Sequence, residues 1–249
     1  MKMIIKMFRN VHLILVLILF ISFLLDKKSL AYDFFDWYES VPGYEIALMD
    51  AEEKGEPLII YFYLDSDEWS EKMYNDYLAS YEVKEYFMEI SKVAVDLTSG
   101  REEIELAKKM GIENCPAFVI SIPSINSDPE RIHPFSEKHN MSLGEFLNAV
   151  KEYIVYNYNN KAYEFFEKQD YDNSLNYFQK AITFDPENAY SYHAIAVVYQ
   201  MMANRKNNPD LFINAEENYI RALKIDPELK EAQQELKELQ DRMKNLKLK

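Results

Sequence analysis

Residues 58–73, LIIYFYLDSDEWSEKM, decide how this chain is built. Leu58 to Leu64 is an unbroken apolar and aromatic run, rich in strand formers and too short for a core helix, so it is a buried strand. Asp65-Ser66-Asp67 is a polar break. Trp69, Met73 and Tyr77 then recur at helical spacing, so a helix leaves the end of the strand.

In register with Lys72-Met73, this stretch resembles the redox site of the thioredoxin fold: an apolar strand followed by Asp-Trp-Cys-x-x-Cys-Lys-Lys-Met. Asp67 and Ser70 stand where the two cysteines would be, with Glu68-Trp69 between them. Thiol–disulfide exchange needs an attacking thiolate and a second sulfur to resolve the mixed disulfide, and neither is present. Asp67 suits the helix N-terminus as a cap, and Ser70 falls in a polar first turn. An acid–nucleophile pair is the competing reading, but no His base lies nearby in sequence. No catalytic residue is assigned.

A second stretch, Gly111 to Ile120, resembles the same family: helix, Gly-Ile, two polar residues, x-Pro and a strand. The resemblance implies that Pro116 is cis and faces the redox position, and that Cys115 pairs main chain to main chain with bound peptide. Trp69, Cys115 and Pro116 are therefore the candidate peptide groove, with Cys115 close to Asp67 and Trp69. Cys115 is the only cysteine, so no internal disulfide forms. It is expected to fill a strand end, because the acids around Asp67 disfavour a thiolate. The alternative is a thiol-disulfide oxidoreductase acting through this single thiol.

The flanking segments complete an α/β thioredoxin-like domain over 32–156. Tyr32 to Pro42 is aromatic and either docks on the domain or is an exposed stripe. Tyr44, Ala47, Leu48 and Ala51 have helical spacing, ended by Gly55 and Pro57. Ile90 to Leu97 is a second strand, Arg101 to Met110 a helix, and Glu130 to Phe135 an edge strand in which Pro134 is tolerated. Ser142 with Glu145 forms a capping box, and Phe146, Val150 and Ile154 give that helix its buried face.

The remainder repeats. KAITFDPE at Lys180–Glu187 and RALKIDPE at Arg221–Glu228 stand 41 residues apart, and small residues and prolines recur around both. This resembles the tetratricopeptide repeat, a helix–turn–helix unit of about 34 residues. The seven or so extra residues are expected in a lengthened loop over Ala203–Leu211. The resemblance implies an all-α domain over 157–249, with units at about 157–188 and 189–229 and a capping helix over Glu228–Leu246. Since no Gly or Pro lies between Gly144 and Pro186, the last helix of the first domain is expected to run straight into the repeats. In such modules the inner helices hold peptide. The candidates here are Tyr156, Asn159, Tyr163, Tyr190 and His193, and the basic residues that clamp a C-terminal carboxylate in some modules are missing.

Residues 1–31 combine a basic head (Lys2, Lys6, Arg9), an apolar run from Val11 to Leu25 and the small-x-small site Ser29-Leu30-Ala31. They form either a cleaved signal peptide or an uncleaved membrane anchor through residues 3–25. Fifteen helical residues rise about 22 Å, short of the ~30 Å hydrocarbon core. Both readings export the chain to the periplasm or the outer face of the inner membrane. The formal charge is −14, which excludes nucleic-acid binding by phosphate neutralisation. Five glycines and no GxGxxG leave no phosphate loop, and His133 and His139 lack partners at ligand spacing, so no cofactor or metal is expected. The sequence points to a protein or peptide partner and to scaffolding or assembly work in the cell envelope.

Overall fold

The computed structural model describes Tyr32, Phe34 and residues 36–136 and 139–247. Residues 1–31, expected to be a signal peptide or anchor, lie outside the described residues. Strand β1 is Tyr38–Glu39, β2 Leu58–Tyr63, β3 Ser91–Asp96, β4 Ala117–Ser121 and β5 Glu130–Ile132. They form one sheet in the order β1-β3-β2-β4-β5. The central strand β2 is buried at every residue, as its apolar run requires. It pairs parallel with β3 and antiparallel with β4, Ile60 lying opposite Val93 on one side and Val119 on the other. β1 and β5 close the edges, parallel and antiparallel respectively.

Alternation along β2 divides the core. Leu58, Ile60 and Phe62 pack with Val93, Val95 and Val119 under helices α1 (Ser40–Lys54) and α4 (Arg101–Lys109). Ile59, Tyr61 and Tyr63 pack on the other side with Met73, Phe118, Phe146 and Ile154. Phe34 is buried in this second layer, its ring against Tyr61 and Tyr63. Tyr32 and Trp37 pack against the same layer, so the described rings of the N-terminal stretch dock on the domain. Short helices α2 (Glu68–Met73), which continues as a π turn over Tyr74–Leu78, and α3 (Tyr81–Tyr86) cross the same face.

Helix α5 runs unbroken from Leu143 to Glu167, 25 residues, opened by the Ser142–Glu145 capping box. At 1.5 Å per residue it spans about 37 Å. Its first half lies on the sheet. Its second half pairs with α6 (Tyr171–Phe184), followed by α7 (Ala189–Lys206), α8 (Leu211–Ile225) and α9 (Lys230–Lys247). Ala162, Ser174, Ala181, Ala196, Ala215 and Ala222 are all fully buried, so backbones approach closely at these positions. The expected long loop is corrected. α7 continues to Lys206 because Met202 and Ala203 stay buried with Phe212, and Asn207 ends it in the left-handed conformation at φ 49°. The extra residues lengthen a helix, leaving a four-residue connection, Asn207–Asp210.

The two halves share a core. Ala181 and Phe184 of α6 and Tyr158 of α5 belong to the layer that holds Phe118 and Phe146. Gly55 ends α1 at φ 68°, and its carbonyl accepts from Tyr158 Oη at 3.0 Å and Lys180 Nζ at 2.8 Å. The turn before the central strand is thus tied to both helices of the first repeat.

Candidate functional site

The position where the redox cysteines would act is closed by its own side chains. Asp67 caps α2: its Oδ2 accepts from Ser70 N at 2.8 Å and from Ser70 Oγ at 3.0 Å. Ser70 Oγ in turn accepts from Leu64 N at 3.2 Å, and Tyr61 Oη donates to the Ser70 carbonyl at 3.2 Å. Ser70 is 0% exposed. Its hydroxyl is committed as both donor and acceptor, and no substrate reaches it. Although Asp67 and Ser70 touch as an acid–nucleophile pair would, burial and the second bond to Leu64 favour the helix cap.

The Cys115–Pro116 peptide is cis. Cys115 is half-buried, and burial pushes its thiol up to about 11, with the charge of Asp67 adding to the shift. At pH 7 about one thiol in 10⁴ is ionised, which leaves little attacking thiolate. Asp67 and Cys115 are therefore brought into electrostatic reach. Trp69 is 43% exposed and lies tilted against Phe135, ring centroids 5.2 Å apart. Phe135 also meets Tyr77 edge-on, so the exposed aromatic edge is Trp69–Phe135. The edge strand expected over Glu130 to Phe135 ends at Ile132, and Phe135 lies beyond it in a lone bridge to Asn140. Burial raises the Tyr32 hydroxyl to about 12, and the acids Asp65, Glu71, Asp67 and Asp96 add to the shift.

The five repeat-groove candidates separate into two groups. Asn159 Oδ1 accepts from Ser191 Oγ at 3.0 Å, joining α5 to α7. His193 Nε2 lies 2.8 Å from Glu235 Oε2, which also accepts from Tyr219 Oη at 2.9 Å, joining α7 to α9. These two residues stitch neighbouring inner helices together. Tyr156, Tyr163 and Tyr190 are 67%, 48% and 64% exposed and present open ring faces. Tyr163 packs edge-on against Phe178. Tyr156 lines a cleft of about 490 Å³ beside β5, with Arg131, His133 and Tyr153. A smaller groove of about 260 Å³ runs between α7 and α9, lined by Val197, Met201, Leu239 and Arg242. Ser191 and Glu235 went unnoticed in the sequence, where nothing marks a helix-to-helix hydrogen bond.

The TPR repeat family model matches residues 162–202, from the end of α5 through most of α7. With the sheet order and its parallel and antiparallel pairings, that match decides the architecture. The chain joins a thioredoxin-like domain to tetratricopeptide helices. Parts of it are similar to solved structures. A thioredoxin from Thermus thermophilus is 20% identical over 47% of this chain and 85% of that one, at TM-score 0.38. Thioredoxin O2 from Arabidopsis thaliana in its oxidized state is 11% identical over 45% and 88%, at 0.32. The first TPR of Spaghetti (RPAP3), bound to the HSP90 peptide SRMEEVD, is 17% identical over 37% and 94%, at 0.21. No curated protein matches the chain. Among the described residues, no helix is long and apolar enough to cross a membrane.

Proposed function

We propose that this thioredoxin-like/tetratricopeptide protein is an exported, non-enzymatic scaffold that holds or helps assemble other proteins in the cell envelope. The observation that carries the reading is the closed Asp67–Ser70 cap: both positions that would carry sulfur are spent on holding a helix end. The high-lying thiol of Cys115 supports it further. Tetratricopeptide helices are a protein-binding architecture, and the exposed rings of Tyr163 and Tyr190 supply anchors of the kind that dominate such interfaces. The edge formed by Trp69 and Phe135 is the second candidate contact. Residues 1–31 would deliver the chain to the periplasm or the outer face of the inner membrane.

Insulin reduction tests the loss of chemistry. The purified protein is expected to give no turnover above a buffer control, and turnover abolished by Cys115→Ser would replace the scaffold by a thiol enzyme. Export is checked by sequencing the N-terminus of protein recovered from cells. It should begin at Tyr32, or retain Met1 and sediment with membranes. Full-length chain free in the cytoplasm would defeat both forms.

A further inference from the structure

Where the two halves meet, on the side away from α1 and α4, α3 and the turn after it approach α5 and the end of α6. They leave an open groove of about 740 Å³, within the range of sites that hold a ligand. Its apolar surface comes from Tyr86, Met88, Leu147 and Phe184, and Met88 is exposed. Its charge is one-sided. Glu85 and Glu89 line the wall from the first domain, and Asp185 and Glu187 the wall from the first repeat. Against these four carboxylates stands one cation, Lys151, and it is already paired with Asp185 at 3.8 Å. Glu85, Glu89 and Glu187 have no ion-pair partner among the described residues.

Tyr86 adds a separate observation. Its Oη is buried and has no hydrogen-bond partner among the described residues, although a phenol removed from water normally finds one. Asp185 lies close enough to resist its ionisation, after burial itself.

We propose that this junction groove docks a peptide segment of a protein partner in which an apolar side chain is flanked by lysines or arginines. The apolar residue would sit on Tyr86, Leu147 and Phe184, and the cations would meet Glu85, Glu89 and Glu187. The charge complementarity excludes acidic peptides, nucleic acid and anionic lipid from this surface. Because both walls are needed, the site exists only when the domains are held together as they are here. The proposal extends the scaffold reading to a third surface and does not depend on the repeat groove.

Fluorescence anisotropy of the full chain with a labelled hexapeptide, KKLFKK, tests it. Saturable binding is expected. Glu85→Lys with Glu89→Lys should weaken it roughly tenfold or more, and so should replacing Leu-Phe in the probe by Ser-Ser. Should that pair unfold the protein, Glu187→Lys on the opposite wall should give the same direction of change. A charge-matched control, Glu45→Lys with Glu102→Lys on the far side of the sheet, should alter binding less than about twofold. Tyr163→Ala with Tyr190→Ala should leave it unchanged, which separates this surface from the repeat groove. The proposal is overturned if KKLFKK does not bind, if EELFEE binds equally well, or if the control pair weakens binding as much as the groove pair.

Discussion

Tyr158 is the residue on which the union of the two halves can be tested most sharply. Its ring is buried, stacks on Phe184 at 6.0 Å, lies near Tyr177 at 6.2 Å, and donates its hydroxyl to Gly55. Tyr158→Phe keeps the ring and loses one hydrogen bond. Lys180 still serves the Gly55 carbonyl, so the cost should stay near the lower end of a single bond's net worth, about 0.5–1 kcal/mol. Tyr158→Ala removes a large aromatic from a core it shares with Phe118 and Phe146, which costs about 3–5 kcal/mol. With a urea slope of roughly 2–3 kcal/mol/M for a chain of this size, that lowers the unfolding midpoint by about 1–2.5 M. The assay has a built-in division of probes. Both tryptophans, Trp37 and Trp69, lie in the thioredoxin-like half, while far-ultraviolet dichroism is dominated by the long helices of α5–α9. If the shared core couples the halves, fluorescence and dichroism transitions coincide in the parent protein, and Tyr158→Ala lowers both. Two separate transitions in the parent, or a shift confined to dichroism, would show two tethered domains and refute the argument.

Three further outcomes follow. His193→Ala should cost about 1 kcal/mol, since it unstitches α7 from α9 at Glu235, whereas Tyr190→Ala should stay within about 0.5 kcal/mol, both read from urea midpoints; equal costs would mean that Tyr190 is also structural. Cys115 should resist iodoacetamide through pH 9 and react faster only towards about 11. Because its ionisation is pushed upward in the folded state, its contribution to stability is intact below its ordinary value of 9.0 and is lost as pH rises through about 11. An alkylation midpoint near or below pH 8.5 would contradict the burial argument. Finally, Asp67→Cys with Ser70→Cys should form a disulfide and give the protein measurable insulin reduction, which a different placement of these positions would prevent.

What the sequence disclosed follows from how local each signal is. Leu58 to Tyr63 announces itself as the central strand because it is buried on both faces, and Ser142 with Glu145 declares a helix start within four residues. The repeats show themselves through small residues and prolines at fixed offsets. The lengthened α7 was missed because Asn204 to Asn208 looks like loop composition, while Met202 and Ala203 are held in the helix by packing on Phe212. Asn159 and His193 are legible as inner-helix residues, but their bonds to Ser191 and Glu235 on other helices leave no mark in the sequence. The Gly55 clamp joins residues 103 and 125 positions apart, beyond any local pattern. The junction groove has no sequence signal, since its walls come from α3, α5 and α6.

An unbroken α5 also turns the molecule into a gauge. Two binding surfaces on a flexible tether search many separations, and the second contact benefits from whatever spacing a partner happens to have. A single rod of about 37 Å, welded to the sheet at one end and to the repeats at the other, permits one separation and one angle. Any partner that grips both the Trp69–Phe135 edge and the repeat face must carry its own contacts at that fixed spacing. One that does gains the second contact with little further loss of freedom. One that does not is limited to a single hold, however well each half of it fits.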